Sequence, residues 1–213
     1  MVRIKICDIT NLIDARLSAE LGAHALGFIF HLKSPRSMRP EEARAIIDNV
    51  PPFIMTVGVF VDEEAGVVRG IAETAGLDWI QLHGQESPEY CCSLGRRVIK
   101  GFRIKDAESL SLLPDYRESV QAFLLDTYKA GTAGGTGKTF DWTLARQAKE
   151  SGPIILAGGL TPANVAQAIK VAQPDAVDVA SGVEAAPGKK DPQKLRAFFE
   201  AVKNVGEGVL FEF

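Results

Sequence analysis

The sequence predicts a single-domain α/β fold, a closed (β/α)₈ or TIM barrel that spans residues 1–213. Eight short runs of hydrophobic or β-branched residues recur along the chain, and segments with helical spacing lie between most of them. Strands that alternate with helices form parallel sheets with right-handed connections, and eight such units favour closure. A doubly wound open sheet is the alternative. It predicts fewer strands and, for a dinucleotide, a GxGxxG motif after the first strand, which CDITNL lacks.

The predicted strands come in this order: VRIKIC from residue 2, ALGFIF from 25, FIMTVGVF from 53, DWIQLH from 78, RVIKGF from 97, AFLLD from 122, PIILAG from 153 and AVDVAS from 176. Helix ends are marked as well. Ser87, Thr161 and Asp191 each precede a proline, and this pairing is typical of an N-cap followed by the first helical position. The segment after Asp191 predicts the closing helix. The apolar tail GEGVLFEF is expected to pack across the barrel or against another subunit.

Composition excludes several classes of protein. The chain is 46% hydrophobic and 24% charged, as in ordinary globular domains, and its net charge of -3 gives no reason to expect a nucleic-acid surface. No apolar run approaches the roughly 20 residues of a membrane span, and the start resembles a strand rather than a signal peptide. We therefore expect a cytoplasmic protein without a membrane partner. Its three cysteines, Cys7, Cys91 and Cys92, predict reduced thiols and no structural metal.

The glycine-rich stretch GTAGGTGKT at residues 131–139 is not a P-loop. That motif needs a glycine five residues before the Gly-Lys-Thr triplet, and the required position holds Thr132. The stretch is also separated from the preceding strand AFLLD by several residues. An ATP site is therefore not predicted here.

In a barrel of this kind the active site lies where the strands end, at the C-terminal rim. The seventh and eighth runs end in the turns LAGGL and VASGV, which are the usual phosphate-binding loops of the fold. Glycine allows the backbone to approach a phosphate closely. The sequence therefore predicts a phosphate site that contains Gly158, Gly159, Ser181 and Gly182.

Strand alternation predicts which side chains of the first strand face the barrel axis. With a period of two, Arg3, Lys5 and Cys7 point inward. Asp178 on the eighth strand also points inward, and that strand closes against the first. Asp178 is expected either to pair with Lys5 or Arg3, or to orient groups of a substrate together with Lys5.

Seven blocks in their usual order resemble the phosphoribosylanthranilate isomerase family of tryptophan biosynthesis. They are KICDIT, PRSM, GVFVD, QLHG, LLD with GGTGKTFDW, LAGGLTPANV and VDVASGVE, and together they span residues 5–184. The resemblance implies an Amadori rearrangement of N-(5′-phosphoribosyl)anthranilate without a cofactor or metal. It also implies that residues 131–139 form a mobile loop over the substrate. A small phosphorylated substrate is the only partner implied, for a monomer or a homodimer.

By matched position, the resemblance implies that Cys7 is the general base and Asp126 the general acid, while Arg36 binds the anthranilate carboxylate. His83 is expected to line the pocket or to make a structural hydrogen bond. An ordinary thiol is only a few per cent ionised at neutral pH, so we expect Lys5 or Arg36 to lower the pKa of Cys7. Asp126 must in turn hold a proton, for which a dry pocket is required.

One residue departs from the family pattern. Asp8 follows the base where the family usually has glycine. We expect activity to survive because Asp8 points to solvent or caps the following helix. Two rival functions remain at this point: another phosphate-binding barrel, such as a sugar-phosphate isomerase or epimerase, and a barrel that only binds a phosphorylated ligand.

Overall fold

Eight parallel strands form a closed barrel in the computed structural model, which describes residues 1–127 and 140–207. Their order around the barrel follows the chain, and the eighth strand pairs with the first. The open-sheet alternative is therefore wrong. The strands are β1 Arg3–Ile6, β2 Ala25–Ile29, β3 Met55–Phe60, β4 Trp79–Leu82, β5 Arg97–Ile104, β6 Ala122–Thr127, β7 Ile154–Leu156 and β8 Ala176–Val179.

Helices cover the outside of this barrel and connect most of the strands. They are α1 Leu12–Leu21, α2 Pro40–Ile47, α3 Ala65–Ala75, α4 Pro88–Ser93, α5 Thr143–Ala148, α6 Val165–Ala172 and α7 Pro192–Glu207. Two 3-10 turns, Ala107–Leu110 and Leu113–Tyr116, replace a helix between β5 and β6. After β8 come a third such turn, Ser181–Val183, and a hairpin of β9 Glu184–Ala186 and β10 Lys189–Lys190.

The core has two layers, as the alternation of side chains along a strand requires. One small apolar cluster fills the barrel interior and includes Val57, Ile99, Leu124 and Ile155. A larger cluster lies between the strands and the surrounding helices. Apolar side chains therefore fill most of the interior below the C-terminal rim, apart from the buried pair of Lys5 and Asp178.

Strand alternation is confirmed where β1 meets β8. Lys5 lies opposite Asp178 in the register of these strands, and both side chains are buried. Arg3 is different, because it is the first residue of β1 and is exposed at the opposite end of the barrel. Asp178 pairs with Lys5, so the alternative in which Asp178 pairs with Arg3 is wrong.

Two of the three predicted N-caps are confirmed. Ser87 accepts a hydrogen bond from Tyr90 N–H, and Asp191 accepts from Gln193 and Lys194 N–H. Thr161 is not the cap of α6, which begins three residues after Pro162. The reason is the side chain of Asn164, which accepts from Thr161 N–H and donates to Gly159 O, so the intervening residues form a turn.

Two predictions concern segments outside the described residues. The glycine-rich loop at 131–139 lies entirely there, and so does most of the tail GEGVLFEF. The single domain was predicted to run through residue 213, and residues 208–213 also lie outside the described residues. Within the described ranges, no helix is long and apolar enough to cross a membrane.

Candidate active site

A cavity of about 210 Å³ opens at the C-terminal rim of the barrel. It brings together nine of the ten predicted site residues: Cys7, Arg36, His83, Asp126, Gly158, Gly159, Asp178, Ser181 and Gly182. Lys5 is the exception, because it is buried in the barrel interior beside Asp178 and does not line this cavity. A thiol and a carboxyl from β1 and β6 therefore face one shared space.

Cys7 lies at the end of β1, where its N–H donates to Val179 O at 2.9 Å. It is 5% exposed, and Gly27 on the neighbouring strand leaves room for its sulfur. Burial raises the pKa of the Cys7 thiol, and although Lys5 acts in the opposite direction, it does not prevail. The expectation that a neighbouring cation lowers this pKa overall is therefore wrong for the ligand-free protein.

Lys5 and Asp178 form a buried ion pair, with Nζ 2.9 Å from Oδ1. Burial alone would lower the pKa of Lys5, but Asp178 and the Cys7 sulfur raise it above its usual value. Lys5 therefore remains charged and neutralises Asp178. Two roles were expected for Lys5 and Asp178: to pair with each other, or to orient groups of a substrate. For Lys5 the geometry shows the pairing. Asp178 also lines the cavity.

Asp126 is held from both of its oxygens. Thr127 N–H donates to Oδ1 at 2.7 Å, and Nε2 of His83 lies 3.4 Å from Oδ2. Nδ1 of His83 is in turn 3.2 Å from Nε2 of Gln81, a side chain that is only 2% exposed. These contacts can stabilise the carboxylate that remains after Asp126 has given up a proton.

The two glycine turns line the cavity as predicted. Gly158 and Gly159 have φ values of +83° and +66°, in the left-handed region that side chains disfavour. Gly182 packs so closely against the loop after β7 that a Cβ there would clash with Leu160 O. A Cβ at Gly158 would also collide with Asp126 and Thr127, so Gly158 and Gly182 exclude a side chain and Gly159 disfavours one. Glycine turns of this kind leave backbone N–H groups open to an anion.

Arg36 reaches the rim from the loop between β2 and α2, where Glu184 holds it. Nε and Nη2 of Arg36 donate to the two Glu184 oxygens at 2.9 and 2.6 Å. The Glu184 hydrogen bond raises the pKa of Arg36, so its charge is fixed. Within the described part of the chain, Nη1 of Arg36 makes no hydrogen bond and can serve a ligand.

Asp8 does not point to solvent and does not cap α1, so that expectation is wrong. It is 7% exposed and lies 3.2 Å from Nε of Arg36, while Asn11 caps the helix. Its φ of +63° explains why glycine suits this position, since few other residues adopt such an angle. Asp is among those that tolerate it.

Sequence reasoning missed three supporting residues: Gln81, Glu184 and Asn164. Gln81 was detectable, because alternation along QLH places it on the same face of β4 as His83. Glu184 ends the block VDVASGVE, but nothing in that block shows that its partner lies 148 residues away. Asn164 was hidden by the stronger Thr-Pro signal beside it.

Comparison with known proteins identifies the fold's family. The family model described as N-(5'phosphoribosyl)anthranilate (PRA) isomerase matches residues 4–201. The chain belongs to this family. The N-(5'-phosphoribosyl)anthranilate isomerase of Geobacter sp. (strain M21) is 53% identical over 205 residues, which cover 96% of this chain and all of the relative. The predicted family and enzyme class are thereby confirmed.

Solved structures of PRA isomerases agree with this barrel. The phosphoribosyl anthranilate isomerase of Thermotoga maritima has a TM-score of 0.90 at 44% identity, covering 96% of this chain and 100% of that chain. A second structure, at 42% identity with the same coverage and a TM-score of 0.86, is a complex with reduced 1-(o-carboxyphenylamino)-1-deoxyribulose 5-phosphate. The predicted TIM barrel is confirmed.

Proposed function

We propose that this PRA isomerase converts N-(5′-phosphoribosyl)anthranilate to 1-(2-carboxyphenylamino)-1-deoxyribulose 5-phosphate, a step of tryptophan biosynthesis, with Cys7 as general base and Asp126 as general acid. The main support is the shared cavity, in which a thiol and a carboxyl line one space beside two glycine turns. The small molecule in the related complex carries the same three groups as the proposed product: a carboxylate, an amine-linked sugar and a phosphate.

Asp126 would open the ribose ring. Its proton passes to the ring oxygen while the bond from that oxygen to C1′ breaks, and the anthranilate nitrogen supplies the electron pair that forms an iminium. The hydrogen bond from Thr127 N–H and the contact with His83 remain in place for the carboxylate that is formed. Such preorganised partners lower the barrier because they need no rearrangement as charge develops.

Cys7 would then remove the proton from C2′. The C–H electrons form a C1′–C2′ double bond, the iminium becomes a neutral amine, and the resulting enolamine tautomerises to the ketone. Burial keeps the thiol protonated before substrate arrives. A cationic iminium beside the sulfur favours the thiolate, as any nearby positive charge does, and the thiol proton passes to solvent in the open cavity before the sulfur takes the proton from C2′. The base is therefore activated by the intermediate on which it acts.

Substrate would be held at its two ends. Its phosphate would lie against the turns at Gly158–Gly159 and Ser181–Gly182, and its carboxylate against Arg36. Asp178 also lines the cavity and can accept hydrogen bonds from sugar hydroxyls. His83 has two supports for a role here: it lines the cavity and it contacts Asp126.

The test is to mix the purified protein with phosphoribosylanthranilate and follow the loss of anthranilate fluorescence. Each well-placed acid or base contributes roughly 10² to 10⁴ in rate. Asp126→Asn should lose activity on that scale, and Asp141→Asn, an exposed helix-start carboxylate, is a matched control that should retain it. Unchanged fluorescence with the wild-type protein would remove this proposal and favour another sugar phosphate or a binding-only role.

Three further expectations accompany this function. We expect a single barrel domain. We also expect it to act in the cytoplasm, where cysteines stay reduced, because its three cysteines are free and its substrate is a phosphorylated metabolite. We expect a monomer or a homodimer, which sedimentation would resolve. No cofactor or metal enters the proposed steps, because electron pairs are redistributed within the substrate and protons are exchanged among Asp126, Cys7, the substrate and solvent, from which Asp126 regains its proton.

A further inference from the structure

Asp8 places a second carboxylate beside the arginine that is proposed to bind the substrate. It follows Cys7 directly, lines the cavity and is almost fully buried. Its left-handed backbone angle, φ +63°, is one that aspartate adopts only at some cost. Burying a charge costs free energy, and a buried side chain does not help solubility, so we expect Asp8 to have a role in the site itself.

The charges around Asp8 are balanced before any ligand binds. Arg36 lies 3.2 Å from Asp8 Oδ2, and its Nε and Nη2 donors are engaged by Glu184. Lys190 on β10 lies 3.5 Å from Glu184 and also acts on Asp8. Two cations therefore face two carboxylates. On the other side, Asp178 is already neutralised by Lys5.

We propose that Asp8 is a specificity-determining residue: it opposes the binding of a carboxylated substrate at Arg36, and it takes up a proton when such a substrate binds. This inference rests on the proposed function, specifically on the assignment of Arg36 to the anthranilate carboxylate. That carboxylate is a third anion in a buried group that holds only two cations. A proton on Asp8 restores neutrality.

Asp8 rather than Glu184 would take the proton. Burial raises the pKa of Asp8 even though Lys190 and Arg36 oppose the rise. Burial acts in the same direction on Glu184, but the hydrogen bond from Arg36, together with Lys190 and Gly188 N–H, holds the pKa of Glu184 below its usual value. Protonating Glu184 would also break the bidentate pair that positions Arg36, whereas protonating Asp8 breaks one longer contact.

The sign of the pH dependence follows from this proton. A carboxylated ligand raises the pKa of Asp8 above its value in the free protein, so binding takes up protons in the interval between these two pKa values. Affinity therefore falls as pH rises through that interval and is constant on either side. Cys7 also lines this side of the cavity, and Lys5 is buried beside Asp178, but both groups are the same in every complex compared, so their effect cancels between the probes.

The experiment is titration calorimetry in buffers of different ionisation enthalpy, which counts the protons taken up on binding. The probes are reduced 1-(o-carboxyphenylamino)-1-deoxyribulose 5-phosphate and the same molecule without its carboxylate. Both carry the phosphate, so its own ionisation cancels in the difference. Asp8→Asn is the informative variant, because Asn tolerates the left-handed conformation equally well and lacks the charge.

The wild-type protein should take up a larger fraction of a proton on binding the carboxylated probe than on binding the probe without a carboxylate. Asp8→Asn should abolish that difference. Asp8→Asn should also bind the carboxylated probe at least about ten-fold more tightly at pH 8, because the Coulomb repulsion between the buried Asp8 carboxylate and that of the probe is removed. Asp8→Gly, which also relieves the backbone, should show the same loss of proton uptake.

An equal difference in proton uptake in Asp8→Asn and the wild type, or none in the wild type, would overturn this inference. The outcome is separable from the proposed function. If the wild-type protein isomerises phosphoribosylanthranilate but shows no proton uptake through Asp8, only the role of Asp8 fails. If the wild type neither binds the probe nor turns over substrate, the proposed function is wrong, and the inference about Asp8 is wrong with it.

Discussion

Replacing Gly27 by alanine should displace the Cys7 thiol while the barrel remains folded. A Cβ at residue 27 would lie 2.6 Å from Cys7 Sγ, 3.1 Å from Cys7 Cα and 3.2 Å from Lys5 Cε. The first distance is roughly 1 Å inside ordinary van der Waals contact. Because β2 is fixed by β1 and β3 on either side, the thiol must move rather than the strand.

The structure sets the expected size of this effect. Overpacking of a core costs about 1–3 kcal/mol. In a domain of this size each kcal/mol lowers Tm by about 2–4 °C. A displacement of about 1 Å at a reacting group costs on the order of 10² in rate. We therefore expect kcat of Gly27→Ala to fall by about two orders of magnitude, with a KM that changes little because the phosphate and carboxylate contacts are elsewhere.

The assay is steady-state loss of anthranilate fluorescence, combined with thermal unfolding followed by circular dichroism. Gly70→Ala is the matched control, since a Cβ at that helical position meets no atom within 4 Å. It should keep wild-type activity and gain stability by up to about 1 kcal/mol. Wild-type kcat in Gly27→Ala, together with unchanged stability, would refute the argument that this glycine makes room for the thiol.

Three other experiments probe the cavity and the buried ion pair beside it. Lys5→Met should cost about 3–5 kcal/mol of unfolding free energy because it strands the buried Asp178, and Lys5→Met with Asp178→Leu should recover most of it in denaturant titrations. A full loss in the double variant would contradict the pairing. Gln81→Met removes the contact that fixes the tautomer of His83, so the pH profile of kcat should shift while the fold is unchanged; an unaltered profile would leave Gln81 without a positioning role. Because burial raises the pKa of the Cys7 thiol, its iodoacetamide alkylation in the ligand-free protein should keep accelerating above pH 9, and a plateau near pH 8.5, the ordinary thiol value, would contradict this.

Much of the fold could be predicted because it depends on local patterns. Each of the eight hydrophobic runs became a strand, and their alternation with helices is a property of neighbouring residues. The same reasoning placed Cys7, Asp126 and the two glycine turns at one rim, because parallel strands end on the same side.

The errors arose where a distant residue decides the outcome. Asp8 was expected in solvent because nothing in CDIT shows that Arg36 and Lys190 lie beside it. Burial of Cys7 likewise depends on how strands pack, and a residue's degree of desolvation cannot be obtained from its neighbours in sequence. The start of α6 was predicted wrongly for a more local reason: the Asn164 side chain bonds to Thr161 N–H and Gly159 O, and the residues between form a turn rather than the first turn of the helix.

The account depends most directly on Cys7 as the base, and the rate of isomerisation by Cys7→Ser tests this claim. A serine hydroxyl is a far weaker acid than a thiol, so kcat/KM should fall by at least about 10². Cys91→Ser, which changes another buried thiol that does not line the cavity, is the control and should retain activity. If Cys7→Ser folds normally and turns over substrate at the wild-type rate, Cys7 is not the base and the proposed mechanism is wrong.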